Sequence, residues 1–395
     1  MLKMRSPLCK TWICLFLAAQ LLFFVSCERA SVSGGIAQID GLSFERTIPL
    51  EYAREFRIDE YRHLESEIKS YKLVTVSGSD RYLFIPENAP VPENLPPDIV
   101  LIFEPAENIF LCASSAMSLW TALGSLDKIR FSSIQKKGWY LEDAVRAMED
   151  GSIFYAGKYS SPDFELLLEK GCRLAIESTM IYHVPQVKEK LESLGIPVFV
   201  DKSSYEENPL GRLEWIKLYG LFAGKEMEAE SFFDAQIKKL GGGEGKGVLS
   251  DYRSGSPKKK VAFFYMTANG TVSVRGNDDY IVKMIEMAGG EYAFAEARKS
   301  SSPSVTVSME QFFAECADAD FLIYNSSIDG SLRSKSDLLS KSPLFSEFKA
   351  FQRGDVWTTG HYLYQATARI GDMILDIKAV LAGEGDKAVF LEKLE

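Results

Sequence analysis

Residues 195–240 read GIPVFVDKSSYEENPLGRLEWIKLYGLFAGKEMEAESFFDAQIKKL, and their pattern decides how the rest of the chain is divided. Ile196–Val200 is a short apolar run with strand character. Glu206–Pro209 breaks it, and Pro209 suits the first turn of a helix, where a missing N–H costs nothing. Apolar residues then recur at helical spacing at Leu210, Leu213, Ile216, Leu218, Leu221 and Phe222. Gly224 interrupts the run. Met227, Ala229, Phe232, Phe233, Ile237 and Leu240 form a second helical stripe, ended by Gly241–Gly243. The spacing predicts a stiff helical bridge, with Glu226–Leu240 as its backbone and Glu214, Trp215 and Lys217 bracing what it joins.

On both sides of this bridge the chain alternates short apolar strands with capped helices, the pattern of parallel sheets flanked by helices. Before it, strands are expected at Ile99–Phe103, Ile109–Cys112, Ile153–Tyr155 and Leu174–Ile176, with helices at Ser114–Leu123, Leu141–Met148, Asp163–Lys170 (capped by Ser161 and Pro162) and Val184–Leu194. After it, strands are expected at Val261–Tyr265, Thr271–Val274, Phe321–Tyr324 and Val356–Thr358. Helices are expected there at Tyr280–Ala288, Met309–Cys316, Pro343–Phe351 and Ala366–Leu381. Residues 44–98 differ: alternating strands, a turn at Ser77–Asp80 and five prolines between Pro86 and Pro97. The expected organisation is a leader at 1–26, a tether at 27–43, a strand-rich extension at 44–98, an α/β lobe at 99–208, the bridge and a Gly-rich loop at 209–260, and a second α/β lobe at 261–395. The expected fold class is α/β, two Rossmann-like lobes with parallel sheets joined by a rigid helical backbone.

At 395 residues, 46% hydrophobic and 12% aromatic, the chain has material for two cores. Its first residues are a leader: Lys3, Arg5 and Lys10 precede an apolar run, Trp12–Val25, too short to span a bilayer comfortably. The run ends in Phe24-Val25-Ser26-Cys27, which resembles a bacterial lipobox and makes Cys27 the expected lipidation site. Cleavage there removes three basic residues and takes the formal charge from −10 to −13. So acidic a chain is not expected to bind nucleic acid, or to adhere electrostatically to anionic lipid. Cys112, Cys172 and Cys316 are odd in number and widely spaced, the pattern of buried core residues rather than a disulfide framework. The chain contains no GxSxG, HExxH or P-loop motif, and no catalytic set can be assembled without free choice among distant residues. An envelope enzyme is therefore the competing class, and the expectation is that the protein is not an enzyme.

One correspondence links the lobes. Ser161–Leu168 leads into Leu174–Ile176, and Val307–Phe313 leads through Asp318–Asp320 into Phe321–Ile323. Each is a short capped helix with a glutamate, Glu165 or Glu310, in its first turn. Complementarity to the helix dipole, worth about 0.3–1 kcal/mol, accounts for both acids on spacing alone.

Taken together these segments resemble the substrate-binding lipoproteins of ABC importers for ferric siderophores, haem and cobalamin, the helical-backbone (class III) binding proteins. The resemblance is carried by Phe103-Glu104-Pro105 through Ser115, Ala122–Ile129, Ser161–Leu168, Leu194–Val198, Glu206 with Pro209–Lys217, Ala288-Gly289-Gly290 and Ser308-Met309-Glu310. Lys170–Arg173 departs from the family's Pro-Asp at that point. It implies two lobes facing across a shallow cleft, a bridge that permits only small lobe motions, and a monomer held at the outer face of the plasma membrane by its lipid. It implies delivery of a metal chelate to a permease dimer with its ATPase, with Glu165 and Glu310 as the acids that meet basic permease residues. No cofactor is expected beyond the lipid on Cys27.

Ligand contacts in such a cleft come from loops that follow strands. They are expected at Ser114, Ser115, Tyr155, Lys158, Thr179, Met180 and Tyr182 in the first lobe, and at Met266, Thr267, Arg275, Asn277, Trp357, His361 and Tyr362 in the second. The aromatics suit a flat apolar ligand, and Lys158 or Arg275 could neutralise an anionic chelate. With only His63, His183 and His361, a direct transition-metal site is not expected. One axial ligand suffices for haem, and Tyr182, His183, His361 and Tyr362 are the candidates. A ferric siderophore is the first expectation on family breadth, cobalamin the second and haem the third.

Overall fold

The computed structural model describes residues 35–64, 70–241, 258–294 and 302–395. The leader, Cys27, the first part of the tether and all but Gly241 of the Gly-rich loop lie outside the described residues.

The extension is a five-stranded sheet in sequence order: β1 (Leu42–Ile48), β2 (Phe56–His63), β3 (Tyr71–Val76), β4 (Asp80–Ile85) and β5 (Ile99–Phe103). Strands β1–β4 run antiparallel, and β5 pairs parallel to β4 from Arg81↔Ile99 to Ile85↔Phe103. The boundary expected at residue 99 is thereby corrected. Residues 86–98 are long enough to carry the chain back over the sheet for a parallel pairing, so Ile99–Phe103 completes the extension instead of opening the first lobe. One face of this sheet buries Leu42, Tyr61, Tyr71, Leu73 and Leu83 under Ile39 and the proline-rich connector. The other face, with Phe56, Ile58, Val74, Val76, Tyr82 and Phe84, enters the main core.

The first lobe follows with β6 (Ile109–Leu111), α1 (Met117–Ala122), β7 (Ile129–Ser132), α2 (Glu142–Glu149), β8 (Phe154–Tyr155), a small hairpin of β9 (Gly157–Lys158) and β10 (Ser161–Pro162), α3 (Phe164–Glu169), β11 (Leu174–Ser178), α4 (Pro185–Ser193) and β12 (Val198–Asp201). Its sheet is all parallel, in the order β12-β11-β6-β7-β8. The cap of α3 is Asp163, whose side chain accepts from the Leu166 amide; Ser161 and Pro162 pair with β9 instead.

The bridge is α5 (Pro209–Ala223) and α6 (Glu226–Lys239). Asn208 caps α5 at the Leu210 amide, Pro209 fills its first turn, and Gly224 ends it in the left-handed region at φ 66°. The helix is buried around its whole circumference, every residue except Arg212 lying inside, so it is central. It contacts α1 on one side and, on the other, α7 (Tyr280–Met287) and α11 (Ile370–Ala382) of the second lobe. This corrects the expectation that Glu226–Leu240 is the backbone: α6 keeps charged residues over much of its surface and packs along α5 from outside.

The second lobe also contains β13 (Lys259–Met266), β14 (Val272–Arg275), β15 (Gly290–Tyr292), β16 (Ser304–Val307), α8 (Met309–Cys316), β17 (Phe321–Tyr324), α9 (Lys335–Lys341), α10 (Lys349–Arg353), β18 (Val356–Thr359) and β19 (Leu391–Lys393). Its sheet runs β16-β14-β13-β17-β18-β19, with β15 also pairing β13. Strands β13, β15, β17 and β18 are parallel, while β14 and β19 run against their neighbours β13 and β18.

Aromatic contacts show how α5 ties the three bodies together. Trp215 meets Phe56 at 5.0 Å and Phe222 meets Phe84 at 4.9 Å, both from the extension. Tyr219 meets Trp120 at 5.6 Å and Phe222 meets Phe199 at 5.0 Å, both from the first lobe. The Arg212 guanidinium lies 3.7 Å over the Tyr280 ring of the second lobe. Polar contacts fix the extension as well. Glu214 accepts the amides of Glu51 (2.9 Å), Tyr52 (2.8 Å) and Ala53 (2.9 Å), and Lys217 sits 3.1 Å from it. Glu214 thus braces the extension to the bridge.

The α5–α6 crossing depends on Gly220, where an added Cβ would stand 2.7 Å from the Ala229 Cβ. Gly220→Val is expected to destabilise the protein by about 1–3 kcal/mol through this overpacking, measured by urea unfolding. An unchanged midpoint would show that the helices are free to separate.

Candidate functional site

Two sets of loops meet at the junction of the lobes, both leaving the C-terminal ends of parallel strands. From the first lobe comes the segment after β7: the Tyr140 amide donates to Gln365 Oε1 at 2.9 Å, and Gln365 Nε2 donates to the Gly138 carbonyl at 2.8 Å. The Tyr140 ring stacks on His361, which follows β18, with centroids 5.2 Å apart and planes at 20°. Nearby, the Ala368 amide donates to Ser118 Oγ at 3.1 Å. These contacts place the carboxyl ends of the parallel strands of the two lobes face to face, the position where open α/β folds bind ligands. Apolar side chains are left exposed on the connections that leave these ends: Tyr140, Met180 and Tyr205 in the first lobe and Ile328 in the second.

The second-lobe side carries the charge. Tyr364 Oη accepts from Arg275 Nη2 and from Asn325 Nδ2, the latter at 2.7 Å. Arg275 Nε is 3.8 Å from Asp279, which also caps α7 through the Ile281 amide at 2.9 Å. Burial opposes the charge on Arg275, but Asp279 and the neighbouring tyrosines outweigh it and the guanidinium is held protonated. Burial pushes the Tyr364 hydroxyl up, so it stays a neutral phenol. Arg212 adds a second guanidinium, bound by Nε to the Glu206 carbonyl (2.9 Å) and by Nη2 to that of Ser204 (2.6 Å). Asp279, Asp201 and Glu206 all act on these two arginines, so the junction holds guanidinium donors within a cluster of mixed charge.

The sequence model of the periplasmic binding proteins matches residues 112–363. The chain belongs to the periplasmic binding protein family. It is therefore a solute-binding protein and not an enzyme. It is 26% identical over 335 residues to an uncharacterized lipoprotein of Methanocaldococcus jannaschii, covering 80% of this chain and 76% of that one. Among solved structures it resembles a periplasmic binding protein from Veillonella parvula, with TM-score 0.56 and 15% identity over 71% of this chain and 93% of the other. It also resembles a periplasmic heme binding protein from Pseudomonas aeruginosa, with TM-score 0.55 and 18% identity over 73% and 95%. The extension, Leu42–Phe103, lies outside the family match.

For this binding protein the junction sorts the residues expected to touch ligand. Ser114 and Ser115 open a 3-10 turn directly after β6, and Tyr155 ends β8. Thr179 and Met180 follow β11, with Met180 exposed. Thr267 follows β13 and bonds Thr271 at 2.7 Å across the hairpin, Lys158 is exposed on the β9–β10 hairpin, and Asn277 is half-buried beside Asp278. Three expectations are corrected. Met266 is buried in the second-lobe core. Trp357 is buried against Gly385 and borders a groove of about 820 Å³ lined by Lys259, Phe321 and Gly383, at the amino ends of the strands and away from the junction. Tyr182 turns toward the extension, its hydroxyl donating to Asp80 at 3.3 Å with Lys202 over its ring. Tyr362 stands near the junction, but its hydroxyl is committed to the Val389 carbonyl at 2.9 Å.

Tyr140, Tyr205, Arg212, Asn325, Tyr364 and Gln365 escaped the sequence reading. Asn325 directly follows β17, so the loop-after-strand rule reaches it; the others are brought in by loop shape and by the bridge. Glu165 and Glu310 are exposed in the first turns of α3 and α8, whose amino ends lie on the junction side of each lobe. Hydrogen bonds from its own amide and from Ser308 hold the Glu310 carboxyl below the usual range.

Among the described residues no group of three or more His, Cys, Asp or Glu side chains is arranged to hold a metal ion, and no helix is long and apolar enough to cross a membrane. One buried acid stands out on β11. Glu177 is fully buried in the first-lobe sheet beside Cys112, and burial pushes its carboxyl from 4.5 up to about 7. Because the folded state binds this proton more tightly than the unfolded chain, the neutral acid is tolerated below about pH 4.5 and stability is lost as pH rises through about 7. Glu177→Gln is expected to flatten that loss, making the variant more stable than the parent at pH 8 by on the order of 3 kcal/mol. Urea unfolding at pH 5 and pH 8 checks it; parallel pH profiles would place the charge elsewhere.

Proposed function

We propose that this protein is a lipid-anchored, extracytoplasmic solute-binding protein that captures a ferric siderophore between its lobes and delivers it to an ABC permease. The single observation that carries this reading is the junction itself. Tyr140, Met180, Tyr205 and Ile328 are exposed on loops that follow strands, and Arg212 and Arg275 lie where the bridge meets the second lobe. Aromatic and aliphatic rims take the apolar part of a chelate, and guanidiniums take its anionic oxygens. The name of the M. jannaschii relative, a lipoprotein, supports the anchor read from Phe24–Cys27. The membrane link is then the acyl chains on Cys27, and the protein works at the outer face of the plasma membrane.

Haem is the second reading, favoured by His361. Its Nδ1 lies 3.0 Å from the Ser326 carbonyl. A proton on Nδ1 that donates there leaves the Nε2 lone pair for a metal. Of the four axial candidates, Tyr182 and Tyr362 have their hydroxyls engaged, and His361 is the one that meets the opposite lobe. The similar Pseudomonas aeruginosa protein is a heme binding protein, in keeping with this reading.

The test is titration of the purified mature protein with a ferric catecholate, a ferric hydroxamate, cyanocobalamin and haemin, following tryptophan fluorescence and the visible spectrum. No response to any of the four would remove the reading. His361→Ala is expected to weaken haemin binding at least about tenfold and shift its Soret band. An unaltered Soret band would exclude ligation by this residue. Delivery is tested separately. Rim charges act on encounter and orientation more than on the ligand site, so Glu165→Ala with Glu310→Ala is expected to keep ligand affinity and abolish uptake. Normal uptake by the double variant would refute their docking role.

A further inference from the structure

Residues 201–206 form the rim segment between β12 and the bridge, and the extension holds them by two independent contacts. The Lys202 side chain is almost fully buried, and its Nζ lies 2.9 Å from Asp80, the first residue of β4. Glu206 Oε1 accepts the amides of Arg54 and Glu55, both at 2.9 Å, in the β1–β2 turn. The bridge adds further fastenings: Tyr219 donates to Asp201, Trp215 Nε1 donates to Glu206 at 3.1 Å, and Arg212 binds the carbonyls of Ser204 and Glu206. The first lobe adds the Tyr182 ring under Lys202 and the pairing of Asp201 with Ser178. Every polar anchor of this segment is directed inward. Tyr205, at its centre, is 52% exposed. A large aromatic on a segment fixed at both ends is pre-organised for contact, since little loop entropy remains to be lost.

We propose that the extension is part of the recognition site: by fastening residues 201–206 through Asp80 and the 54–55 turn, it sets Tyr205 against the ligand, and Tyr205 contacts the flat apolar part of a metal chelate. This rests on the binding function proposed above. The extension lies outside the family match, so it adds to the two-lobe plan a third body that shapes one wall of the junction.

The experiment uses the full mature chain and the same four probes: ferric catecholate, ferric hydroxamate, cyanocobalamin and haemin. For whichever probe the parent binds, Tyr205→Ala is expected to weaken affinity about tenfold with an unchanged melting temperature, and Tyr205→Phe to restore it. Asp80→Ala, in the extension, is expected to weaken the same probe roughly threefold and to speed hydrogen exchange at the amides of residues 203–206. Parent-like affinity in Tyr205→Ala overturns the contact. Unchanged exchange or unchanged affinity in Asp80→Ala overturns the role of the extension. A parent that binds none of the probes overturns the metal-chelate reading proposed above, and the Tyr205 assignment with it. A parent that binds while the variants match it overturns only the present inference.

Discussion

Five consecutive backbone amides, those of residues 51–55, end on two carboxylates supplied by the bridge segment. Such a run of N–H groups is a concave anion receptor made of main chain, and here its anion belongs to the protein. Glu214 is fully buried and Glu206 nearly so. A buried carboxylate is costly unless hydrogen-bonded and paired, which accounts for the density of partners. Lys217 neutralises Glu214 and reaches Glu230 at 3.2 Å; although burial opposes its charge, these two acids raise its pKa. Burial pushes the Glu206 carboxyl up, against the pull of its amide donors. Removing one partner would strand the other inside, so the turn, the helix and the extension form one unit.

From that unit the remaining geometry follows. A mostly apolar helix with almost no solvent face has to be surrounded, and α5 is surrounded by three different bodies. Its aromatic residues meet Phe56 and Phe84 of the extension and Trp120 and Phe199 of the first lobe, while Arg212 reaches Tyr280 of the second. Tight packing makes such a core discretely arranged rather than continuously deformable. The lobes are further tied by Gln365, whose amide reads both the Gly138 carbonyl and the Tyr140 amide. A junction fastened by a shared helix and a direct latch favours capture by a largely pre-formed surface over wide closure.

The chemistry of the junction is divided between the lobes. The first presents apolar groups at Tyr140, Met180 and Tyr205; the second presents guanidinium, phenol and imidazole at Arg275, Tyr364 and His361. Arg212 belongs to neither lobe. Rooted in the bridge, it binds carbonyls of the first and stacks on a ring of the second, so the same side chain helps set the relative position of the lobes and the charge between them.

Periodicity and punctuation determined the elements. The Pro209–Ala223 stripe, the stop at Gly224, the capped helices before β11 and β17 and the alternation of strand and helix are local features, so they were legible in residue order. Arg275, His361 and the serines after β6 were reachable because loops that follow parallel strands converge in this architecture. The sequence did not determine which of two helices was central, because that depends on how many bodies compete for an apolar surface. The pairing of Ile99–Phe103 was equally hidden: a five-residue apolar strand carries no mark of its partner. Trp357 packed against Gly385 and Tyr182 turned toward Asp80 because side-chain direction is set by register and by neighbours distant in sequence. Only the tertiary structure placed Tyr140 on His361, Gln365 on Gly138 and Tyr205 on its fastened rim, since each depends on non-local contacts that no local spacing encodes.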